Sequence, residues 1–194
     1  KDIYPCLKDI ISTYKKGTDF SIYMDTDGLI HAGSGLDQVT WMDVRVGDWV
    51  ATPRHGKPVE INALWYNALC TMDMLQAKFG DNDDSYRQLA SLVKTSFNKR
   101  FWNENTGCLY DVVDEDDDTI RPNQIYAVSL PFTMLDRERE KAIVDTVMDK
   151  LYVGCGLRSL DPDHKDYHPI YIGSLSKRDH AYHQGTAWGF LLGG

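Results

Sequence analysis

Cysteine is scarce in this sequence. The 194 residues include four cysteines, far apart, with no C-x-x-C pair and no histidine at metal-ligand spacing. Three disulfide pairings are formally possible, but the spacing provides neither a disulfide framework nor a zinc framework. Free thiols in a reducing cytoplasm are therefore expected for Cys6, Cys70, Cys108 and Cys155.

Long apolar runs and excess positive charge are also lacking. No run approaches the ~18 apolar residues of a membrane span, and no signal peptide is visible. Lysine and arginine number 21 against 29 acidic residues, which gives a formal net charge of −8. Because phosphates and anionic lipids would be repelled, nucleic acids and membranes are excluded as partners. A neutral substrate is expected, and five tryptophans and eleven tyrosines suit one that stacks on flat rings.

The motifs of several large enzyme classes are absent. The sequence contains no P-loop, no dinucleotide fingerprint and no Ser-His-Asp order, so phosphoryl, hydride and acyl transfer have no support. His180 and His183 lie three apart without a third ligand at suitable spacing, and neither a metal nor another cofactor is predicted. The acidic run at 114–118 lacks the central glycine of a calcium loop and is predicted to be a solvated loop.

Helical stripes of apolar residues alternate with long polar connections. Helices are predicted over 2–16, 58–79, from about 84 to 101, over 124–130 and over 136–152, and a last one is expected to begin near Gly185. A hairpin is predicted over 20–31 and a brief strand over 109–113. Long loops at every second connection are typical of helical hairpins arranged around an axis, with the loops at one end. The whole of 1–194 is predicted to belong to one domain. Its six or seven helices are too few to close such a ring.

The connection over 34–57 concentrates aromatic and ionisable side chains. Its carboxyl groups belong to Asp37, Asp43 and Asp48. A carboxyl between Trp41 and Trp49 would be partly desolvated, which favours the protonated form that a general acid needs. Alternatively, these aspartates cap turns or pair with Arg45 and Arg54.

Two further segments carry candidate polar residues. Glu60, in the first turn of a predicted helix, either compensates the helix dipole or holds sugar hydroxyls. The stretch 121–124 combines an arginine with two side-chain amides, which suits hydroxyl recognition, although Asn123 is also a candidate helix cap. The stretch 179–188 is the other dense cluster of histidine, tyrosine and tryptophan.

Four ordered motifs resemble the amylo-α-1,6-glucosidase domain of glycogen debranching enzymes. They are "TWMD" at 40–43, "TPRHGKPVEINALWYNAL" at 52–69, "RPNQIYAVSLP" at 121–131 and "YHQGTAWGFLLG" at 182–193. The resemblance implies an all-α, (α/α)6 barrel, of which 1–194 would be an incomplete part truncated at its C-terminus. It also implies a cytoplasmic glycoside hydrolase that removes α-1,6-linked glucose with inversion. Its partners would be a branched α-glucan, such as glycogen or limit dextrin, and the remainder of the parent chain.

The same resemblance implies roles for individual residues. Asp43 of "TWMD" would be the general acid, and the general base would be a glutamate beyond Gly194, with neither Asp37 nor Glu60 preferred. The fragment alone is therefore expected to have little activity. Trp188-Gly189 departs from the usual Trp-Pro, so the local backbone is expected to differ slightly. The implied glucose-binding residues are Trp41, Arg54, Glu60, Asn62, Trp65, Arg121, Asn123, Gln124, His183, Gln184 and Trp188.

Two alternatives remain open at this stage. "SGLD" at 34–37 resembles the "SGWD" of trehalases, so Asp37 would be the acid of a different (α/α)6 glycosidase, of trehalase or α-1,4-glucosidase type. The second alternative is a carbohydrate-binding helical module without catalysis.

Overall fold

Helices dominate this computed structural model, which describes residues 3–80 and 83–193. They are α1 (Tyr4–Lys16), α2 (Val59–Phe79), α3 (Ser85–Arg100), α4 (Tyr126–Ser129), α5 (Arg137–Lys150) and α6 (Leu175–Tyr182), with 3₁₀ turns at Pro122–Ile125 and Phe190–Leu192. The first helix was predicted from Asp2, which lies outside the described residues. The predicted start at Pro58 is confirmed, because Pro58 is the N-cap of α2 and the left-handed Gly80 closes that helix.

The connections are partly organised into short antiparallel ladders, so the expectation of an all-α chain is corrected. Within residues 3–80 and 83–193 there are five two-stranded sheets of two-residue strands. They pair β1 (Tyr23–Met24) with β2 (Ile30–His31), β3 (Arg45–Val46) with β4 (Trp49–Val50), β5 (Lys57–Pro58) with β8 (Val112–Val113), β6 (Trp102–Asn103) with β7 (Cys108–Leu109), and β9 (Leu157–Arg158) with β10 (Ala187–Trp188). Such ladders satisfy backbone groups that packed connections would otherwise leave without partners.

Helix α2 lies at the centre of the molecule. Its buried face, including Leu69 and Met72, packs with Val93 and Phe97 of α3 in one apolar core. The helix also contacts β5, α4 and the 3₁₀ turn at 122–125. The N-terminal end of α2 therefore brings residues near position 60 against residues near position 122.

A buried lysine joins the β1–β2 hairpin to β5. Lys57 is 2% exposed at its side chain, and its Nζ lies 2.8 Å from Asp25 Oδ2 and 2.9 Å from Asp27 Oδ2. Burial lowers the pKa of Lys57, but the two aspartates outweigh burial and leave this pKa raised. Asp114, the first residue of the acidic run, pairs with Arg100. The run is anchored at this end, and Asp114, Glu115, Asp116 and Asp118 are exposed, in agreement with the prediction of a solvated loop.

The prediction of a final helix beginning near Gly185 is wrong. Helix α6 ends at Tyr182, and the chain then enters β10, which pairs with β9. Gly185 has a φ of 148°, and a Cβ there would lie 2.4 Å from the carbonyl oxygen of His168. This close crossing of backbones needs a residue without a side chain, and it leads the chain into a strand rather than a helix.

Candidate functional site

A buried arginine forms the centre of the candidate site. Arg54 donates from Nη1 to Glu60 Oε1 at 2.5 Å, from Nη2 to Glu60 Oε2 at 2.7 Å, and from Nε to Asp111 Oδ2 at 2.6 Å. Burial lowers the pKa of this guanidinium, but Asp111 and then Glu60 outweigh it and leave the pKa raised. Arg54 therefore stays charged, and both oxygens of Glu60 are occupied. Glu60 thus acts on a buried partner and not only on the helix dipole.

Asp111 belongs to this network but was not predicted from the sequence. Its Oδ1 accepts a hydrogen bond from Asn123 Nδ2 at 2.8 Å, and Asn123 Oδ1 accepts one from Trp41 Nε1 at 2.7 Å. A continuous set of hydrogen bonds therefore runs from Arg54 to the indole of Trp41. The available signal was an isolated acid inside the apolar, strand-like stretch 109–113, since a buried carboxylate requires a charged partner.

A second buried arginine attaches the segment at 183–184. Arg121 donates from Nη1 to the carbonyl oxygens of Ser159 at 3.0 Å and His183 at 2.8 Å, and from Nη2 to Gln184 Oε1 at 2.8 Å. Burial lowers the pKa of Arg121, and Asp111, whose Oδ2 lies 3.8 Å from Arg121 Nε, partly opposes that effect. These bonds explain how residues 62 and 63 positions apart in the sequence meet.

Five rings form an aromatic cluster at the surface end of this network. The cluster consists of Trp41, Tyr182, His183, Trp188 and Phe190. The ring centroid of Trp41 lies 5.0 Å from that of His183, and His183 stacks on Trp188 at 5.6 Å. Trp41 and Trp188 are only partly buried, so indole surface remains open to a ligand such as a sugar ring.

Asp43 lies at the edge of the aromatic cluster. Its Oδ1 is 3.6 Å from His183 Nε2, and its side chain is 61% exposed. In the part of the chain that the structure describes, no lysine or arginine lies within 4 Å of this carboxyl. The predicted desolvation between two indoles is not seen, because Trp49 stacks on His180 at 4.1 Å instead.

Of the structural roles considered for the aspartates of this connection, turn capping is seen at Asp37. Asp37 Oδ2 accepts from the backbone N–H of Ser34 at 3.0 Å, as a turn cap does. Arg45 donates to the carbonyl oxygen of Gly47 at 2.8 Å. With Arg54 held by Glu60 and Asp111, neither arginine neutralises Asp43.

His183 is buried without a hydrogen-bond partner within 3.5 Å for either ring nitrogen, among the described residues. Burial lowers the pKa of His183 to about 4; the Asp43 charge opposes this shift, whereas Arg121 and Arg54 add to it. The imidazole is therefore neutral at pH 7, so the ring that lies 3.6 Å from the Asp43 carboxyl carries no charge.

This lowered pKa predicts a pH-dependent stability. The unfolded chain takes up a proton at His183 near pH 6.5 and the folded chain near pH 4, so stability falls between these values as pH decreases. Such a shift corresponds to about 3 kcal/mol. His183→Phe removes the titrating group and is expected to weaken this acid dependence. The measurement is urea denaturation of both proteins at pH 7.5 and 4.5, where parallel losses of stability would contradict the assignment.

Three of the residues implied by the resemblance have structural partners away from Asp43. Asn62 Oδ1 accepts from the backbone N–H of Ile30 at 2.7 Å, and Trp65 Nε1 donates to the carbonyl oxygen of Gly28 at 3.0 Å. Gln124 Oε1 accepts from the backbone N–H of Leu109 at 3.3 Å. The structure thus gathers the other eight, which are Trp41, Arg54, Glu60, Arg121, Asn123, His183, Gln184 and Trp188.

The described residues contain no group of three or more histidine, cysteine or acidic side chains that could hold a metal ion. Over the same residues, no helix has the length and apolarity needed to cross a membrane.

Comparison with known proteins gives consistent results. The chain is 29% identical over 227 aligned residues to the glycogen debranching enzyme of Saccharomyces cerevisiae, covering 92% of this chain and 15% of that protein. A crystal structure of a GH78 family rhamnosidase of Bacillus sp. GL1 superposes with a TM-score of 0.55 at 20% identity, over 75% of this chain and 14% of that one. The second comparison supports the fold alone.

The family assignment covers the whole sequence. The match to the family described as amylo-alpha-1,6-glucosidase extends over residues 1–194. It includes Asp43, the arginine network and the aromatic cluster. The chain therefore belongs to the amylo-α-1,6-glucosidase family.

Proposed function

We propose that this chain forms the acid-bearing side of a cytoplasmic glycoside hydrolase that removes α-1,6-linked glucose from branched α-glucans with inversion. The family match and the similarity to a glycogen debranching enzyme support the substrate class. The observation that carries the proposal is the position of Asp43 beside indole surface, as an accessible carboxyl that has no lysine or arginine partner among the described residues.

In the proposed reaction, Asp43 donates its proton to the glycosidic oxygen as the bond to the anomeric carbon breaks. His183 is a positioning residue, because its ring lies 3.6 Å from the carboxyl oxygen of Asp43 and stacks on Trp188. Trp41 and Trp188 provide surface for the glucose ring. The buried ion pairs of Arg54 and the buried hydrogen bonds of Arg121 fix the position of these rings. Asn62, Trp65 and Gln124 stabilise the fold.

We propose that the general base is a glutamate beyond Gly194. An inverting enzyme places its base roughly 6.5–9.5 Å from its acid, with a water between base and sugar. Both oxygens of Glu60 are occupied by Arg54, and Asp37 caps a turn. Since the two nearby candidates are engaged, the 194 residues alone are proposed to have little activity.

We further propose that 1–194 is part of one (α/α)6 domain. The helical hairpin of α2 and α3 and the clustering of long connections at one site support this arrangement. The chain spans about 15% of its curated relative and 14% of the similar solved structure. A complete barrel would therefore include the remainder of the parent chain.

The stereochemistry of the product tests the proposed reaction. The full-length protein acting on a branched limit dextrin is expected to release β-glucose first, because water attacks opposite the departing oxygen. Proton NMR within minutes of mixing distinguishes the anomers, and the 194-residue chain is the comparison expected to release little glucose.

Other outcomes identify the alternatives. Initial release of α-glucose would contradict inversion. Turnover of trehalose or α-1,4-linked maltose in preference to the dextrin would indicate another glycosidase of this class. Binding of glucan without any release of glucose would indicate a carbohydrate-binding module.

A further inference from the structure

A polar cavity lies beside the segment that carries Asp43. It has a volume of about 250 Å³, and its lining includes Trp49, His168, His180 and Gln184. A neighbouring cavity of about 400 Å³ shares His168 and His180 and is also lined by Ile170 and Ile172. We call the two together the outer groove.

Two local connections place this groove next to Asp43. Ala51, which lines the inner cavity, donates its backbone N–H to the carbonyl oxygen of Val44, the residue after Asp43, at 3.0 Å. Gln184, also in the lining, directly follows His183, whose ring contacts Asp43. Two lining residues of the outer groove, Ala51 and Gln184, are therefore each one contact removed from the proposed acid, Ala51 through Val44 and Gln184 through His183.

The lining of the groove suits a sugar. Nδ1 of His180 lies 2.8 Å from the carbonyl oxygen of Ser176, and Nδ1 of His168 lies 2.7 Å from that of Asp166. Since a carbonyl oxygen only accepts, Nδ1 of each ring donates this hydrogen bond, and Nε2 is the ring nitrogen that remains to contact a hydroxyl group. Trp49 stacks on His180 on one face and is 37% exposed, so it offers a flat apolar surface.

The two surfaces near Asp43 are separate. Trp41 precedes Asp43 and belongs to the aromatic cluster, whereas Trp49 follows Asp43 and belongs to the groove. Among the described rings, those of the groove make no ring contact with the aromatic cluster. A general acid acts on the oxygen that joins the departing chain to the cleaved sugar, so it lies at the boundary between their two binding sites.

We propose that the outer groove binds the glucan chain on the leaving side of the scissile bond, with Trp49 as its stacking surface. This assignment rests on the proposed hydrolase function and on the aromatic cluster as the site of the cleaved glucose. The two cavities, of about 250 Å³ and about 400 Å³, provide room for more than one glucose unit.

The test compares two substrates of the full-length protein. A branched limit dextrin has a glucan leaving group, whereas α-glucosyl fluoride leaves only fluoride and places nothing in the groove. Trp49→Ala is expected to lower the ratio of kcat/KM for dextrin to that for α-glucosyl fluoride at least about tenfold, mainly through KM for dextrin. Trp49→Phe, which keeps an aromatic face, is expected to show a smaller loss.

Val46→Ala is the matched control. Val46 faces Trp49 across the β3–β4 ladder and is exposed, but it does not line the groove. The same loss in Val46→Ala, or an unchanged ratio in Trp49→Ala, would overturn the inference. If the wild-type protein hydrolyses neither substrate, the proposed function fails and the groove assignment fails with it. Normal wild-type turnover with an unchanged Trp49→Ala ratio overturns the groove alone.

Discussion

Replacing Asp43 by asparagine in the full-length protein is expected to lower kcat for branched limit dextrin by roughly 10²–10⁴-fold. Asparagine has nearly the same shape but cannot donate a carboxylic proton to the glycosidic oxygen. Because Asp43 is exposed and forms no ion pair with lysine or arginine within 4 Å in the described residues, folding is expected to be preserved. Steady-state release of glucose is the measurement, with circular dichroism as the check on folding.

The leaving group makes this test specific for acid catalysis. Fluoride departs without protonation, so the same variant is expected to lose far less activity on α-glucosyl fluoride. Asp37→Asn is the matched control, since asparagine can still accept the hydrogen bond from Ser34. Near wild-type dextrin hydrolysis by Asp43→Asn would remove it as the acid, and a large loss in Asp37→Asn would instead favour the trehalase-type arrangement.

Replacing Arg54 by methionine is expected to reduce the free energy of local unfolding by about 3–5 kcal/mol. The substitution leaves Glu60 and Asp111, both nearly fully buried, without the cation that neutralises them. Hydrogen exchange of backbone amides reports the effect directly, because Val59 N–H donates to the carbonyl oxygen of Asp111 at 3.0 Å. Exchange at β5 and β8 in the full-length protein is therefore expected to accelerate strongly.

A surface arginine provides the control for this second prediction. Arg87 is 62% exposed and pairs with Asp73 and Asp84. Arg87→Met is expected to change stability by about 1 kcal/mol or less, as for other exposed ion pairs. Comparable losses in the two variants would contradict a special role for the buried pairing.

Local signals were sufficient for much of the helical framework. Pro58 and Gly80 mark the ends of α2, and Asp136 accepts a hydrogen bond from Arg139 N–H at the start of α5. The segment after Tyr182 was assigned wrongly because its conformation depends on β9, some 30 residues away. The pairing with a distant strand and the close backbone crossing at Gly185 are both long-range contacts. Such contacts produce no helical or strand periodicity in the local sequence.

In the candidate site, too, some residues could be predicted from the sequence and others depended on contacts that only the fold creates. The resemblance grouped Trp41 with Asn123, and their hydrogen bond joins residues 82 apart. It did not indicate Asp111, whose role depends on where Arg54 lies in space. The acidity argument for Asp43 assumed that its sequence neighbours are its spatial neighbours, but its carboxyl lies 3.6 Å from His183, and Trp49 stacks on His180 instead.

The pairing of β5 with β8 has a consequence for the order of folding. It brings together Arg54 and Asp111, which are 57 residues apart, and encloses the whole α2–α3 hairpin. Closing so long a loop costs conformational entropy that adjacent helices do not incur on meeting each other. We therefore expect the two helices to dock early. The buried ion pairs of Arg54 and the aromatic cluster are expected to assemble late.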